Sequence, residues 1–567
     1  MNPEPKDATA PDARIGIAQS VPAGQAVSVP TQPVGPEQAS PGHAGPEQAG
    51  PGGTPSYLSH REIIQVMIGL MAGVFLAALD QSIVGTALPT IVSELGGLEH
   101  LSWVVTAYLL TSTASTPLWG KISDLYGRRP MFQIAIVVFL VGSLVAGAAG
   151  SMAMLIGGRA VQGLGGGGLM ALALAIIGDI IPPRERGKYQ GLFGAVFGVS
   201  SVAGPLLGGF FTDGPGWRWI FWLNIPVGIA ALYITSRALH MPLVRRDHKI
   251  DYLGAATIVA AVTSLLLYTS WAGPEYGWGG PLSLALLIGG LLLAIAFVFV
   301  ELRAEEPIIP MRLFQGRVFR WSVIFAAILG MAMFGGIIYL PFYLQVVKGY
   351  SPTESGLALI PMVLGILVTS IGSGILITRT GRYRIFPIIG SAIVLVALVL
   401  MTLLTVDTPY WKFGIGVFIF GAGLGFTMQT VVTAVQNDVA LRDLGVATSS
   451  ITFFRSMGGA FGTAIFGAVL NTRLAHHLEA ALAGTPGAGS QVGGSLSDIT
   501  AIEALPPAIK EPVLNSFVLA LQDVFLTAIP FVAVAFLVAF LIPEVKLRTR
   551  HDGPATEQAE PAPLALE

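Results

Sequence analysis

The sequence predicts an all-α polytopic membrane protein: fourteen spanning helices, built as two six-helix bundles with two further helices inserted between them. Three observations carry this. Hydrophobic residues make up 53% of the 567 positions and charged residues only 11%, with a mean hydropathy of +0.71, whereas soluble domains carry about 25% charged residues. Apolar runs long enough to cross a bilayer, about 20 residues each, recur along the chain. The second half echoes the first at an offset close to 254 residues. The 70 glycines fit the same class, because small residues let membrane helices pack closely.

Residues 1–58 are rich in Pro, Gly, Ala and Gln and contain a near-repeat, GPEQASPG then GPEQAGPG. Such a segment cannot bury enough surface to order itself, and it lacks the basic-then-apolar pattern of a signal peptide. It is expected to be a disordered tail. The apolar runs then fall at 62–90, 102–119, 131–150, 152–178, 189–211 and 219–236, which form an N-terminal bundle over 59–240. Runs 252–271 and 281–300 are the inserted pair, 241–305. Runs 321–346, 355–378, 385–405, 411–434, 444–470 and 518–542 form a C-terminal bundle over 306–545, with a long outer loop at 472–516. A second disordered tail is expected over 546–567.

Charge sets the orientation. With the N-terminus inside, the short inner loops hold 18 Lys and Arg and the outer loops hold 5. The positive-inside rule then places both termini in the cytoplasm of a cell-membrane protein. Two basic residues remain inside apolar runs, Arg159 and Arg455, and Asp80 is the one clearly intramembrane carboxylate.

A charge at the bilayer centre costs about 2.5–3.5 kcal/mol on insertion scales and marks a functional site by default. If a side chain carries a proton through this membrane, Asp80 is the candidate. The plainer alternative is a neutral structural hydrogen bond. Asp80 lies nine residues before Pro89, about 13 Å along a helix, and Arg159 seven residues after Met152, about 10 Å. The two are at similar depth. A guanidinium that cannot shed its proton needs a partner, and Asp80 is the expected one. Arg455 has no obvious acidic mate, which leaves a structural role or an anionic substrate.

GKISDLYGRRP (120–130) links runs 2 and 3. Its glycines, Gly120 and Gly127, permit a tight turn, and Asp124, Arg128 and Arg129 can form a charge cluster. Its echo, GILITRTGRY (374–383), has Thr378 where the first copy has Asp124, so no equal cluster is expected there. In GVSSVAGPLLGGF (198–210), Pro205 removes a helix hydrogen bond, while Gly204, Gly208 and Gly209 allow close packing. Phe334 and Tyr339, with methionines nearby, and Gln429 are candidates to line an adaptable pocket. Asp80, Gln162 and Arg455 join them as substrate-facing candidates.

Together these motifs resemble the major facilitator superfamily, specifically its fourteen-helix drug:proton antiporters of the EmrB/QacA type, over about residues 60–545. LDQSIVGTALP resembles that family's helix 1 motif, with Gly85 where Asn is often found. GKISDLYGRRP resembles its loop 2–3 signature, RAVQGLGGGG its helix 4 motif and GPLLGG its antiporter motif. WRWIFWLNIPVG and GVATSSITFFRSMGGAFG resemble segments typical of the fourteen-helix group. The resemblance implies the major facilitator fold and rocker-switch alternating access. It links Asp80 and Arg159 to proton coupling, and Asp124 and Arg128 to a gate that stabilises the outward-facing state. Proton-driven multidrug efflux of hydrophobic, often cationic compounds is the implied function. A dedicated exporter of an endogenous lipid, antibiotic or metabolite is the alternative.

Other classes find little support. The chain has no cysteine, so it has neither a disulfide framework nor a thiolate metal site. It has no P-loop, and one Asp with two Arg gives no nucleophile or metal constellation for an enzyme. No cofactor, no metal and no nucleic-acid partner is expected. The partners are small substrates, protons and lipid, and a monomer is favoured.

Overall fold

The computed structural model describes residues 60–95, 101–239, 251–271, 276–482 and 506–547. The expected tail 1–58 and the part of the second tail beyond Leu547 lie outside the described residues, as does 483–505 of the expected outer loop. Among the described residues there is no strand. Helices α1 (His60–Leu95), α2 (Leu101–Tyr126), α3 (Arg128–Gly147), α4 (Met152–Ile180), α5 (Pro183–Asp213), α6 (Arg218–Trp222) and α7 (Asn224–Ala238) form the first half. Helices α8 (Tyr252–Trp271) and α9 (Pro281–Glu301) follow. The second half comprises α10 (Arg317–Phe342), α11 (Pro352–Ala358), α12 (Ile360–Thr380), α13 (Ile385–Met401), α14 (Tyr410–Asp438), α15 (Leu444–Leu482) and α16 (Pro507–Ala539).

Eleven described segments are long and apolar enough to cross a membrane. The expected fourteen spans also need α13, which has 17 residues, the more polar α2, and α5. The hydroxyls of α2 have inward partners: Thr111 donates to the Ala160 carbonyl at 2.8 Å and Ser115 to the Leu164 carbonyl at 3.3 Å.

Proline explains three departures from the expected runs. The sixth run is two helices, because Pro226 offers no N–H to the Trp222 carbonyl. The tenth is likewise split into α11 and α12, with Pro361 in the first turn of α12, and α11 opens on a capping box between Ser351 and Glu354. Pro341 near the end of α10 is followed by a π turn, Tyr343–Val347, a form such interruptions often take. By contrast α5 stays helical through position 205; the Pro205 ring lies outside the described side chains. Helices α15 and α16 also run further than expected, taking 472–482 and 507–516 out of the outer loop.

Glycine sets two element ends. Gly127 takes φ 94° between α2 and α3, and Gly381 takes φ 72° at the end of α12. Both conformations are costly for any residue with a Cβ.

The apolar cores follow the halves. One cluster runs from Leu313 to Leu547 through α10 and α12–α16. Two more lie within 63–239, around Phe132 and Phe139 and around Trp217 and Phe221. A fourth joins Ala114 of α2, Ile258 and Val262 of α8, Phe297 of α9 and Phe453 of α15. Between the halves, α5 packs on α12, and α15 packs on α2 and α4.

Candidate functional site

Close packing of α4 on its neighbours builds the site. The glycines of RAVQGLGGGG leave no room for a side chain: Gly163 lies against the Tyr108 backbone of α2 and Gly165 against Phe139 of α3. Arg159 and Gln162, on the same helix, are thereby pressed toward α1, where Asp80 is 0% exposed.

Both Asp80 oxygens are occupied. Arg159 Nη1 pairs with Oδ2. Gln162 Nε2 donates to Oδ1 at 2.7 Å, and Asn224 Nδ2 donates to the same oxygen at 3.2 Å. Arg159 has further partners: Nη1 donates to Gln162 Oε1 at 2.8 Å, and Nε to the Val104 carbonyl at 3.2 Å. Its guanidinium lies 4.4 Å from the centre of the Tyr108 ring, a cation–π contact. Ser143 of α3 ties the knot together. It accepts from Gln162 at 3.2 Å and from Asn224 at 3.0 Å, and donates to the Phe221 carbonyl at 2.7 Å. Every member lies between residues 80 and 224, so the knot belongs to the first half alone.

Asn224 and Ser143 escape a reading of the sequence. Ser143 is one small hydroxyl in an apolar run. Asn224 reaches Asp80 from the first position of α7, just past the break at Leu223. The one available signal was Pro226, which marks the break.

A second polar cluster closes one end of the molecule. Arg128 pairs with Asp124 at 2.6 Å and with Asp179 at 2.6 Å, and donates to Ser123 at 2.5 Å. Asp124 accepts from the Val446 backbone N–H at 3.2 Å, so a carboxylate of the first half caps the N-terminus of α15 in the second, a favourable placement for a helix dipole. Gly120 and Gly445 make the approach possible: Gly120 abuts Ser449, and Gly445 abuts Arg128 and Asp124. Arg129 does not join; it donates to the Ser236 carbonyl at 2.7 Å. The expected three-residue cluster is therefore Asp124, Arg128 and the unforeseen Asp179, because adjacent residues at a helix start point in different directions.

Arg186 completes this closure. It is 0% exposed and donates to the Ile181 and Gly178 carbonyls of its own half and to the Gln436 carbonyl of the other, the last at 2.9 Å. In the sequence it reads only as one of many inner-loop charges.

The remaining candidates are dispersed. Gly204 abuts Ser82 of α1, which itself donates to the Ser200 carbonyl at 2.8 Å, so this glycine seats α5 on α1. Gly208 is buried in α5, and Gly209 faces Thr353 of α11. Gln162 serves the carboxylate knot. Tyr339 is 5% exposed and donates to the Thr463 carbonyl at 3.2 Å. Phe334 lies on α10, and its side chain is outside the described residues. Gln429 and Arg455 stand apart from the knot, on α14 and α15. Among the described residues no group of three or more His, Cys, Asp or Glu is placed to hold a metal ion.

The described residues thus hold a buried charge pair in the first half and a polar clasp between the two halves. The chain belongs to the Major Facilitator Superfamily, whose sequence profile matches residues 70–463. It is 42% identical over 489 residues to an uncharacterized MFS-type transporter of Mycobacterium tuberculosis, covering 86% of this chain and 70% of that one. It is 35% identical to the multidrug transporter protein MdtP of Bacillus subtilis, covering 88% and 96%. It is 34% identical to the acurin A biosynthesis cluster MFS-type transporter of Aspergillus aculeatus, covering 85% and 89%. The proton:xylose symporter XylE shares the fold, with a TM-score of 0.56 at 15% identity over 87% of this chain and 98% of that one.

Proposed function

We propose that this chain is a proton-coupled multidrug efflux antiporter with fourteen spans, set in the cell membrane with both termini cytoplasmic. It exports hydrophobic, often cationic compounds by alternating access. The observation that carries the reading is the buried Asp80 knot. Arg159 cannot release a proton, so Asp80 is the group of the knot that can take one. Protonation turns an ion pair into a lone buried cation, held by Gln162 Oε1, the Val104 carbonyl and the face of Tyr108. A lone buried charge is costly, and α1 and α4 relieve it by repacking. In this cycle Asp80 loads a proton from outside and releases it inside. A cationic substrate competes for the deprotonated carboxylate. The clasp of Asp124, Arg128, Arg186 and the α15 N-terminus is the closed cytoplasmic side, which makes the described conformation the outward-facing one.

The multidrug names of relatives such as MdtP support a broad substrate range. The relative named for the acurin A biosynthesis cluster favours a second reading, a dedicated exporter of one endogenous metabolite. Proton movement in reconstituted vesicles separates these. With an imposed gradient, the wild type exchanges protons for ethidium, and Asp80→Asn folds but does not exchange and binds ethidium more weakly. Exchange at the wild-type rate in Asp80→Asn sinks the coupling role of this carboxylate. A wild type that carries no lipophilic cation brings the dedicated exporter forward.

A further inference from the structure

We infer that Arg455 and Gln429 form a second polar site, between α14 and α15, that receives the charged head of an amphipathic organic anion. The inference rests on the export reading for the direction of transport, but not for binding.

Two unpaired groups start the argument. Arg455 sits in mid-helix on α15, partly exposed, and has no hydrogen bond, ion pair or ring contact with any described residue. Gln429 on α14 is 5% exposed, and its Oε1 accepts no hydrogen bond. Buried polar groups are ordinarily paired, and a guanidinium in a membrane helix more so.

The register of the two helices sets these groups at one depth. Helices α14 and α15 are consecutive and antiparallel, and Gln436 Nε2 donates to Thr448 Oγ1 at 3.1 Å across their seam. Gln429 is seven residues before Gln436, and Arg455 is seven residues after Thr448. Seven residues is close to two helical turns, so each lies within about 20° of the face of its partner in that contact and about 10 Å further along. The two therefore share a depth, two turns from the end where α14 and α15 meet, on helices that both pack toward the first half. That seam faces the first half, because Gln436 also donates to the Leu174 carbonyl of α4 at 3.0 Å. Substrate sites of transporters built from repeated halves lie at this interface, near mid-membrane.

The chemistry of the occupant follows. Arg455 keeps its charge and presents a planar fork of donors, which suits a carboxylate, sulfonate or phosphate. The nearby acids are committed: Asp80 to its own knot, and Asp443, at the start of α15, to Arg312 at 2.5 Å. Gln429 Oε1 asks for a hydroxyl or N–H beside the anionic head. Met331 supplies adaptable apolar surface on α10, where it packs against Gly462 of α15. Gly330 of α10 lies against the Arg455 backbone, which fixes the helix while the guanidinium stays unengaged.

The probe is 8-anilinonaphthalene-1-sulfonate, which joins a sulfonate and an N–H to an apolar body. Its saturable binding to the full chain in nanodiscs is measured by equilibrium dialysis, with empty nanodiscs subtracted and ethidium as the cation control. Arg455→Gln is expected to weaken saturable binding at least about tenfold, as the loss of charge-assisted hydrogen bonds does. Arg455→Lys weakens it less, and Gln429→Leu weakens it severalfold. No saturable component in the wild type, or one that survives Arg455→Gln, overturns the site. If Arg455→Gln does not fold, Arg455→Lys and Gln429→Leu decide the matter in the same way. Anion binding that depends on Arg455, in a protein that fails to exchange protons for ethidium, sinks the export cycle and leaves this site standing.

Discussion

Two arginines lie within the apolar helices of this chain, and their surroundings are opposite. Arg159 is surrounded by Asp80, Gln162, the Val104 carbonyl and the ring of Tyr108. Arg455 has no such partner among the described residues. Each half also carries a buried glutamine at a depth similar to its arginine's. Gln162 bridges Arg159 and Asp80, whereas Gln429 leaves an oxygen unpaired. One half has internalised its counter-charge, and the other has left a place for one. A buried ion pair is poor evidence of stability gained, but removing one partner from it is severe. The two sites should therefore respond in opposite directions to the same substitution.

The largest effect tests this directly. Arg159→Gln strands the Asp80 carboxylate and is expected to cost about 3–5 kcal/mol, seen as a large fall in the melting temperature of the purified protein and loss of ethidium exchange. Arg455→Gln removes an uncompensated charge and is expected to leave melting unchanged or raise it. Similar destabilisation by both erases the contrast.

An intermediate effect concerns the clasp that joins the halves. Gly120→Val sets a branched side chain against Ser449 and is expected to hold the Asp124 end open. Because the chain has no cysteine, a single Thr448→Cys reports alone. Its labelling by a membrane-impermeant maleimide should rise severalfold in the Gly120→Val background. Unchanged labelling would mean that α2 and α15 do not part at this point.

The smallest effect sharpens the comparison of the glutamines. Gln162→Leu leaves Asp80 and Arg159 each short of a partner and should destabilise by about 1–3 kcal/mol. Gln429→Leu removes an unpaired acceptor and should be neutral or stabilising by about 1 kcal/mol. Paired melting curves of the two variants decide it.

Much of this was legible in the residues alone. Apolar runs gave the helices, and depth counted from Pro89 and Met152 gave the meeting of Asp80 with Arg159. Composition could not tell Gln162 from Gln429, since both are amides in apolar helices and only the neighbouring helix decides which is paired. Ser143 and Asn224 were invisible for the same reason: their partners are 78 and 144 residues away in the chain. Arg186 was masked by its setting, because in a charged loop the count of charges is informative and the fate of each is not.

Helices α8 and α9 make the two flanks of the molecule unlike. Helix α8 packs against α2 and α15, which belong to different halves, and α9 backs α8 with a lipid-exposed face. Where α5 meets α11 and α12, the helices packed against them all belong to the two halves themselves. The contact of α2 with α15 is thus backed by two further helices, whereas the more extensive contact of α5 with α12 is not.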